Sequence, residues 1–152
     1  FRHKMYEMYK GTRKPMPAEL HEQVPVIKEI LASMNIPVIT LEGYEADDIL
    51  GTVGKKAQSL GYNVVILSGD RDLLQLADEH IKIRLPKTIK GRTEIENYYP
   101  EDVMEKYMAT PSEFIDLKAL MGDSSDNIPG VPGIGEKTAM SIISKYHSIE
   151  NA

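Results

Sequence analysis

Apolar residues along the chain recur either at helical spacing or in short unbroken runs. Val24, Ile27, Ile30, Leu31 and Met34 share one helical face, and Pro25 suits the first turn of that helix. Ala46, Ile49, Leu50, Val53, Ala57 and Leu60 give a second face, so Glu45–Leu60 reads as a helix that Gly61 ends. Pro37–Leu41 (PVITL) reads as a short strand, and Val64–Ser68 as a strand of the fully buried type. Ile81–Leu85 is a further strand, and Lys90-Gly91 has the chemistry of a hairpin turn. A short helix is expected near Leu73–Ala77. Residues 2–10 can be helical until Gly11, Pro15 and Pro17 interrupt them. Pro100–Tyr107, Pro111–Met121 and Glu136–Tyr146 are the last helices. Strands alternating with helices predict an α/β fold with a parallel sheet, and the all-helical stretch after Pro100 reads as an appended subdomain.

Composition narrows the function classes. The chain has 152 residues, 41% hydrophobic and 27% charged, which suits one domain with a real core and excludes disorder and collagen. The longest aliphatic run, Val64–Leu67, is far too short to span a membrane. The sequence holds no cysteine, so disulfides, thiolate metal sites and a cysteine nucleophile are out, in keeping with a reducing compartment. No basic-then-apolar leader opens it at Phe1. The net charge of −5 is unevenly spread. Residues 1–14 hold Arg2, Lys4, Lys10, Arg13 and Lys14 against Glu7 alone, whereas residues 15–80 hold 4 basic and 11 acidic residues. A basic arm attracts a polyanion, or is a solvated tail; an acidic middle repels one unless cations neutralise it.

The acids concentrate in three windows: Glu45-Ala46-Asp47-Asp48, Asp70-Arg71-Asp72 and Asp123-Ser124-Ser125-Asp126. Asp70 and Asp72 follow a strand, at the sheet edge where ligands bind in open α/β folds. Glu45 and Asp48 are neighbours in the first turn of a helix, with Asp47 further round. Each window also has a local reading: helix-dipole partners for the first, an Asp72–Gln75 capping box for the second, turn residues for the third. Taken together they pose an electrostatic problem. Two carboxylates about 4 Å apart repel by roughly 4 kcal/mol at an effective dielectric near 20, so a shared pocket needs cations. All-oxygen donors, with His3, His21, His80 and His147 scattered, point to Mg²⁺ or Mn²⁺. Two such ions among carboxylates form a recurrent apparatus for phosphodiester hydrolysis.

Ile128–Ala139 (IPGVPGIGEKTA) is neither a Walker loop, because Glu136 stands where Lys must follow Gly135, nor a strand-fed dinucleotide fingerprint. It reads as a tight connection between two helices, with Gly130, Gly133, Gly135 and a helix N-terminus offering backbone amides to phosphate; a plain helix–helix turn is the other reading.

The segments FRHKMYEMYKGTRKPMP, GYEADD, ILSGDRDLLQL and LMGDSSDNIPGVPGIGEKTA, in that order, resemble the 5′ nuclease (5′→3′ exonuclease, flap endonuclease) domains of bacterial DNA polymerase I. The resemblance runs from Phe1 to near Ala152. It implies a PIN-like (FEN-type) parallel-sheet nuclease core over residues 1–99, with residues 1–17 as a basic arch segment. Residues 100–152 would then form a C-terminal helix–hairpin–helix subdomain that binds DNA. By the same resemblance Glu45, Asp47, Asp48, Asp70, Asp72, Asp123 and Asp126 are catalytic metal-site acids, for two or more Mg²⁺ or Mn²⁺ ions. Arg2, Lys10 and Arg13 correspond to residues that steer the scissile phosphate and the 5′ strand, with Tyr9 beside them. Gly130, Gly133, Gly135, Lys137 and Thr138 correspond to the duplex-backbone clamp, where this family often holds K⁺. The implied activity is two-metal-ion cleavage of 5′-flap or nicked duplex DNA in replication and repair, in the bacterial cytoplasm. The family's first strand, with its metal-site aspartate, and a second such aspartate precede the segment matched by Phe1, and the polymerase domains follow. The expectation is therefore an unpaired sheet edge, exposed apolar surface, weak ion and DNA binding and little cleavage. The alternative is a non-catalytic module that binds the duplex backbone.

Overall fold

The computed structural model describes Phe1–Ala152. In chain order its elements are α1 (Arg2–Met5), α2 (Ala18–Ser33), α3 (Ala46–Ser59), β1 (Val64–Leu67), a 3-10 helix (Arg71–Leu76), β2 (Ile81–Ile89), β3 (Arg92–Tyr98), α4 (Pro100–Tyr107), α5 (Phe114–Met121), β4 (Gly122–Asp123), β5 (Ile128–Pro129) and α6 (Glu136–Tyr146). β2 is central to the main sheet. It pairs in parallel with β1 (Val64↔Ile81 to Leu67↔Arg84) and antiparallel with β3 (Ile83↔Tyr98 to Ile89↔Arg92). The sheet is thus mixed: the parallel pair fronts the acid windows, and the antiparallel pair is the expected hairpin. Its turn, Lys90-Gly91, has positive φ at both residues (49° and 79°), the geometry that matches strand twist. Pro86 interrupts nothing because β1 stops opposite Arg84, leaving that side of β2 free.

One apolar cluster joins the sheet to the C-terminal helices. It holds Ile66, Ile81, Ile83 and Leu85 from the strands, Leu73 and Leu74 from the 3-10 helix, Val103 and Tyr107 from α4, Phe114 and Leu117 from α5, and Ala139 and Ile143 from α6. Tyr107 and Phe114 meet edge to face at 5.1 Å between ring centres. No helix is long and apolar enough to cross a membrane.

Several elements differ from the sequence reading, each for a physical reason. α2 begins at Ala18 rather than Pro25; Pro17 caps it and Pro25 lies inside, on a helix that buries no residue. Pro37–Leu41 forms no strand: no neighbouring strand takes up its backbone groups, and Val38, Ile39 and Leu41 are exposed. β1 is a sheet edge, so only Ile66 is buried, while Val65 and Leu67 face solvent. Helix in the N-terminal arm stops at Met5, where Tyr6 turns extended. α5 starts at Phe114, after Thr110 and Glu113 close a capping turn (Thr110 N to Glu113 Oε2, 2.7 Å).

Candidate metal and nucleic-acid site

The first turn of α3 brings up the first acid window. Glu45 precedes the helix, and its backbone N–H donates to Asp48 Oδ2 at 2.9 Å. Asp48 in turn receives both ends of the Arg2 guanidinium, at 2.7 and 2.8 Å. That fork holds the Asp48 carboxyl down at about 2, against partial burial. Asp47, which the spacing sets further round, also faces the cavity. Burial first, then the charges of Asp70 and Glu45, push its carboxyl up.

The second window follows β1. Asp70 caps the 3-10 helix by accepting the Asp72 N–H at 2.9 Å. The capping box expected between Asp72 and Gln75 does not form; the Gln75 amide donates to the Asp72 backbone carbonyl at 2.8 Å instead. Burial raises the Asp72 carboxyl, Lys118 opposes, and Asp70 and Asp123 add to the rise.

The third window starts at the last residue of β4 and runs toward β5, the two strands pairing as Gly122↔Pro129 and Asp123↔Ile128. Asp123 Oδ1 accepts from Ser125 N (2.8 Å), Ser125 Oγ (2.6 Å) and Asp126 N (3.2 Å). Its Oδ2 accepts from Lys118 Nζ at 2.7 Å. Burial disfavours the Asp123 charge, but Lys118 and Ser125 outweigh it and hold the carboxyl well below its usual range. Asp126 turns the other way, toward the arm.

These elements enclose a cavity of about 460 Å³ lined by Glu45, Asp47, Asp48, Asp70, Asp72 and Asp126, with Arg2 and Tyr9 among the other wall residues. Asp123 is not in the wall; Lys118, 3.0 Å from Asp72, links it to the group. No three of the carboxylates lie close enough together to hold one ion between them. Basic side chains occupy most of them instead.

The arm is no solvated tail. Lys10 Nζ lies 2.7 Å from Glu45 and 3.9 Å from Asp126, and Arg13 pairs with Asp126. The Lys10 backbone N–H donates to the Asp126 carbonyl at 2.8 Å, and the Asn127 amide to the Met8 carbonyl at 2.8 Å. Tyr9 is the arm's one buried residue, and its hydroxyl donates toward Glu45 (3.0 Å) and Asp126 (2.9 Å). Burial pushes the phenol up to about 12; Lys10 draws it down, and Asp126 and Glu45 add to the rise.

The glycine-rich connection divides by role. A side-chain carbon on Gly130 would come within 2.3 Å of Met121 backbone, and one on Gly122 within 2.2 Å of Gly130 N. Gly130 is therefore required by the β4–β5 crossing itself. Gly133 (φ 81°) and Gly135 face open space, and Gly135 precedes α6 without a side-chain cap. Lys137 and Thr138 are exposed in the first turn of α6, whose leading amides have no side-chain cap. Lys118 escaped the sequence reading: nothing in an isolated lysine on a helix signals that it reaches two acid windows.

The family model for the 5′-3′ exonuclease N-terminal resolvase-like domain matches residues 1–108, and that for the 5′-3′ exonuclease C-terminal SAM fold matches residues 109–152. DNA polymerase I of Bacillus caldotenax is 52% identical over 151 residues, covering 99% of this chain and 17% of that protein. The chain thus spans about a sixth of the length of the curated relatives it matches. Among solved structures, the T5 D15 protein co-crystallised with metal ions superposes with a TM-score of 0.79 at 30% identity, over 99% of this chain and 59% of that one. The bacteriophage T5 D15 flap endonuclease in a pseudo-enzyme–product complex with DNA and metal ions gives a TM-score of 0.77 at 27% identity, over 99% and 57%. With both family models matched end to end, from the acid windows of α3 and β1 through the helices that close the core, this chain belongs to the 5′-3′ exonuclease family.

Proposed function

We propose that this chain binds divalent cations and DNA as part of a 5′ nuclease that hydrolyses phosphodiesters at 5′ flaps or nicks. The observation that carries the reading is the meeting of Glu45, Asp47, Asp48, Asp70, Asp72 and Asp126 around one cavity. The donor set is all carboxylate oxygen, which suits Mg²⁺ or Mn²⁺. Burial and like charge raise Asp47 and Asp72, an imbalance that a hard cation relieves. Asp47 and Asp70 make no ion pair and are the first candidates to hold an ion. Glu45, Asp48, Asp72, Asp123 and Asp126 complete the set when their basic partners let go. Ions bound there would activate water and stabilise the attacking and leaving oxygens.

The chain's own cations supply the rest. Arg2, Lys10 and Arg13 surround the acids and are the groups a phosphate would draw off, Arg2 and Arg13 through their planar forks. Residues 100–152, with the open amides before α6 and Gly133, Gly135, Lys137 and Thr138, would grip the duplex backbone without reading bases. K⁺ at that turn fits the same reading. A labelled 5′-flap duplex, incubated with Mg²⁺ or EDTA, tests it. Mg²⁺-dependent release of the flap that Asp70→Asn abolishes supports hydrolysis.

A second reading, a duplex-binding module without cleavage, is favoured by the pairing of most of the acids with cations and the lack of three that share an ion's reach. It predicts DNA binding that Asp70→Asn leaves intact, with no cleavage by either protein.

A further inference from the structure

Three of the cations paired with the acid windows come from the arm. The fourth, Lys118, comes from α5, whose Leu117 and Leu120 are buried in the core. Its Nζ stands 2.7 Å from Asp123 Oδ2 and 3.0 Å from Asp72 Oδ1, so one ammonium joins a carboxylate of the N-terminal family region to one of the C-terminal region. The two acids are not equivalent around it. Asp123 has Ser125 and Asp126 donating to its other oxygen. Asp72 Oδ1 is shut off from solvent and finds no hydrogen bond in good geometry, so the charge of Lys118 is what compensates it.

We propose that Lys118 is an internal counter-ion that competes with divalent cations for Asp72 and Asp123 and so sets the concentration at which the site fills. The inference rests on the divalent-ion reading given above. The physical case is short. A dication bound to Asp72 Oδ1 and Asp123 Oδ2 would take the position that the ammonium holds, and one position cannot hold both. A dication brings twice the charge to the same oxygens. Lys118 can give way because four flexible methylenes separate its charge from a fixed backbone. The ion pairs it forgoes on leaving weaken the apparent affinity. A lysine that merely braced the fold would act in the opposite sense: its loss would disorder both acids and weaken binding.

The test is a Mn²⁺ titration of this chain, with free Mn²⁺ followed by electron paramagnetic resonance. Lys118→Met, which keeps the stem and drops the charge, is expected to tighten Mn²⁺ binding on the order of tenfold. Lys118→Arg, which keeps the charge, is expected to stay within about twofold of the parent. The thermal midpoint of Lys118→Met should be lower than the parent's in EDTA and rise further than the parent's on adding Mn²⁺. Unchanged or weaker binding by Lys118→Met, or tightening by Lys118→Arg to the same extent, overturns the proposal. Should Lys118→Met not fold, Lys118→Gln makes the same comparison. Asp70→Asn separates the two levels, because Asp70 does not touch Lys118. If it leaves Mn²⁺ affinity unaltered, the divalent-ion reading itself fails. If it weakens binding while Lys118→Met changes nothing, only the counter-ion role fails.

Discussion

The Tyr9 hydroxyl donates to Asp126 Oδ2 at 2.9 Å, across 117 positions of sequence. The Tyr9 hydroxyl oxygen also lies 3.0 Å from Glu45 Oε2, so one buried phenol ties the basic arm to the first and third acid windows. Tyr9→Phe keeps the ring and removes both contacts. Hydrogen bonds to charged groups contribute about 1.5–3 kcal/mol, and a loss in that range is expected in urea unfolding. A phenol raised in the folded state adds stability below its unfolded value, and that stability is lost as pH climbs toward about 12. Spectrophotometric titration of the 8 tyrosines should show late-ionising phenols at Tyr9 and Tyr98, of which Tyr9→Phe removes one.

Acid should weaken the fold through Asp48. Its carboxyl is depressed to about 2, so the stabilisation is complete above its unfolded value, near 3.8, and disappears as pH falls through about 2. Glu96, held at about 2 by Tyr98, Lys106 and Lys87 where β3 meets α4, loses its share over the same acid range. Arg2→Met should flatten the acid limb of a stability–pH curve measured by chemical denaturation. An unaltered limb would show that the Arg2 fork contributes nothing in solution.

The glycines of the connection should separate fold from DNA contact. Gly130→Ala meets backbone at 2.3 Å and should destabilise the chain by more than about 3 kcal/mol, or prevent folding. Gly133→Ala, in open space but at positive φ, should cost about 1–2 kcal/mol. Gly135→Ala meets nothing and should leave the thermal midpoint nearly unchanged. If the amides before α6 contact phosphate, Gly135→Ala should nevertheless weaken duplex binding. Equal binding by Gly135→Ala and the parent would leave that turn a structural connector.

Salt should report what the arm does once DNA is present. Each of Arg2, Lys10 and Arg13 that exchanges a carboxylate for a phosphate adds about 0.9 to the slope of log affinity against log salt for duplex DNA. Neutralising them singly should reduce the slope by about that amount each. A slope that stays put means that the arm remains on its carboxylates.

What could be read from the sequence was whatever depends on local chemistry. α4 and α6 keep the bounds that their periodicity and end residues indicate, and α3 runs where its apolar face does. The Lys90-Gly91 turn formed where Gly91 takes positive φ without steric cost, with Lys90 beside it in the same region. What escaped depends on neighbours far along the chain. Pro37–Leu41 has a strand's composition but no strand beside it. Asp47, named among the metal-site acids by resemblance alone, lines the cavity although helical spacing sets it further round. Gly130 looks like a phosphate-loop glycine until the β4–β5 crossing explains it. The arm's cations read as phosphate ligands, and the structure pairs them with carboxylates, a choice that depends on which anions are present.

The apolar cluster that holds Ile66 and Ile83 together with Leu117 and Ile143 has a thermodynamic consequence. Neither family region owns a separate interior, so heat should melt the strands and the C-terminal helices in a single cooperative event. The calorimetric and van't Hoff enthalpies of that event should then coincide.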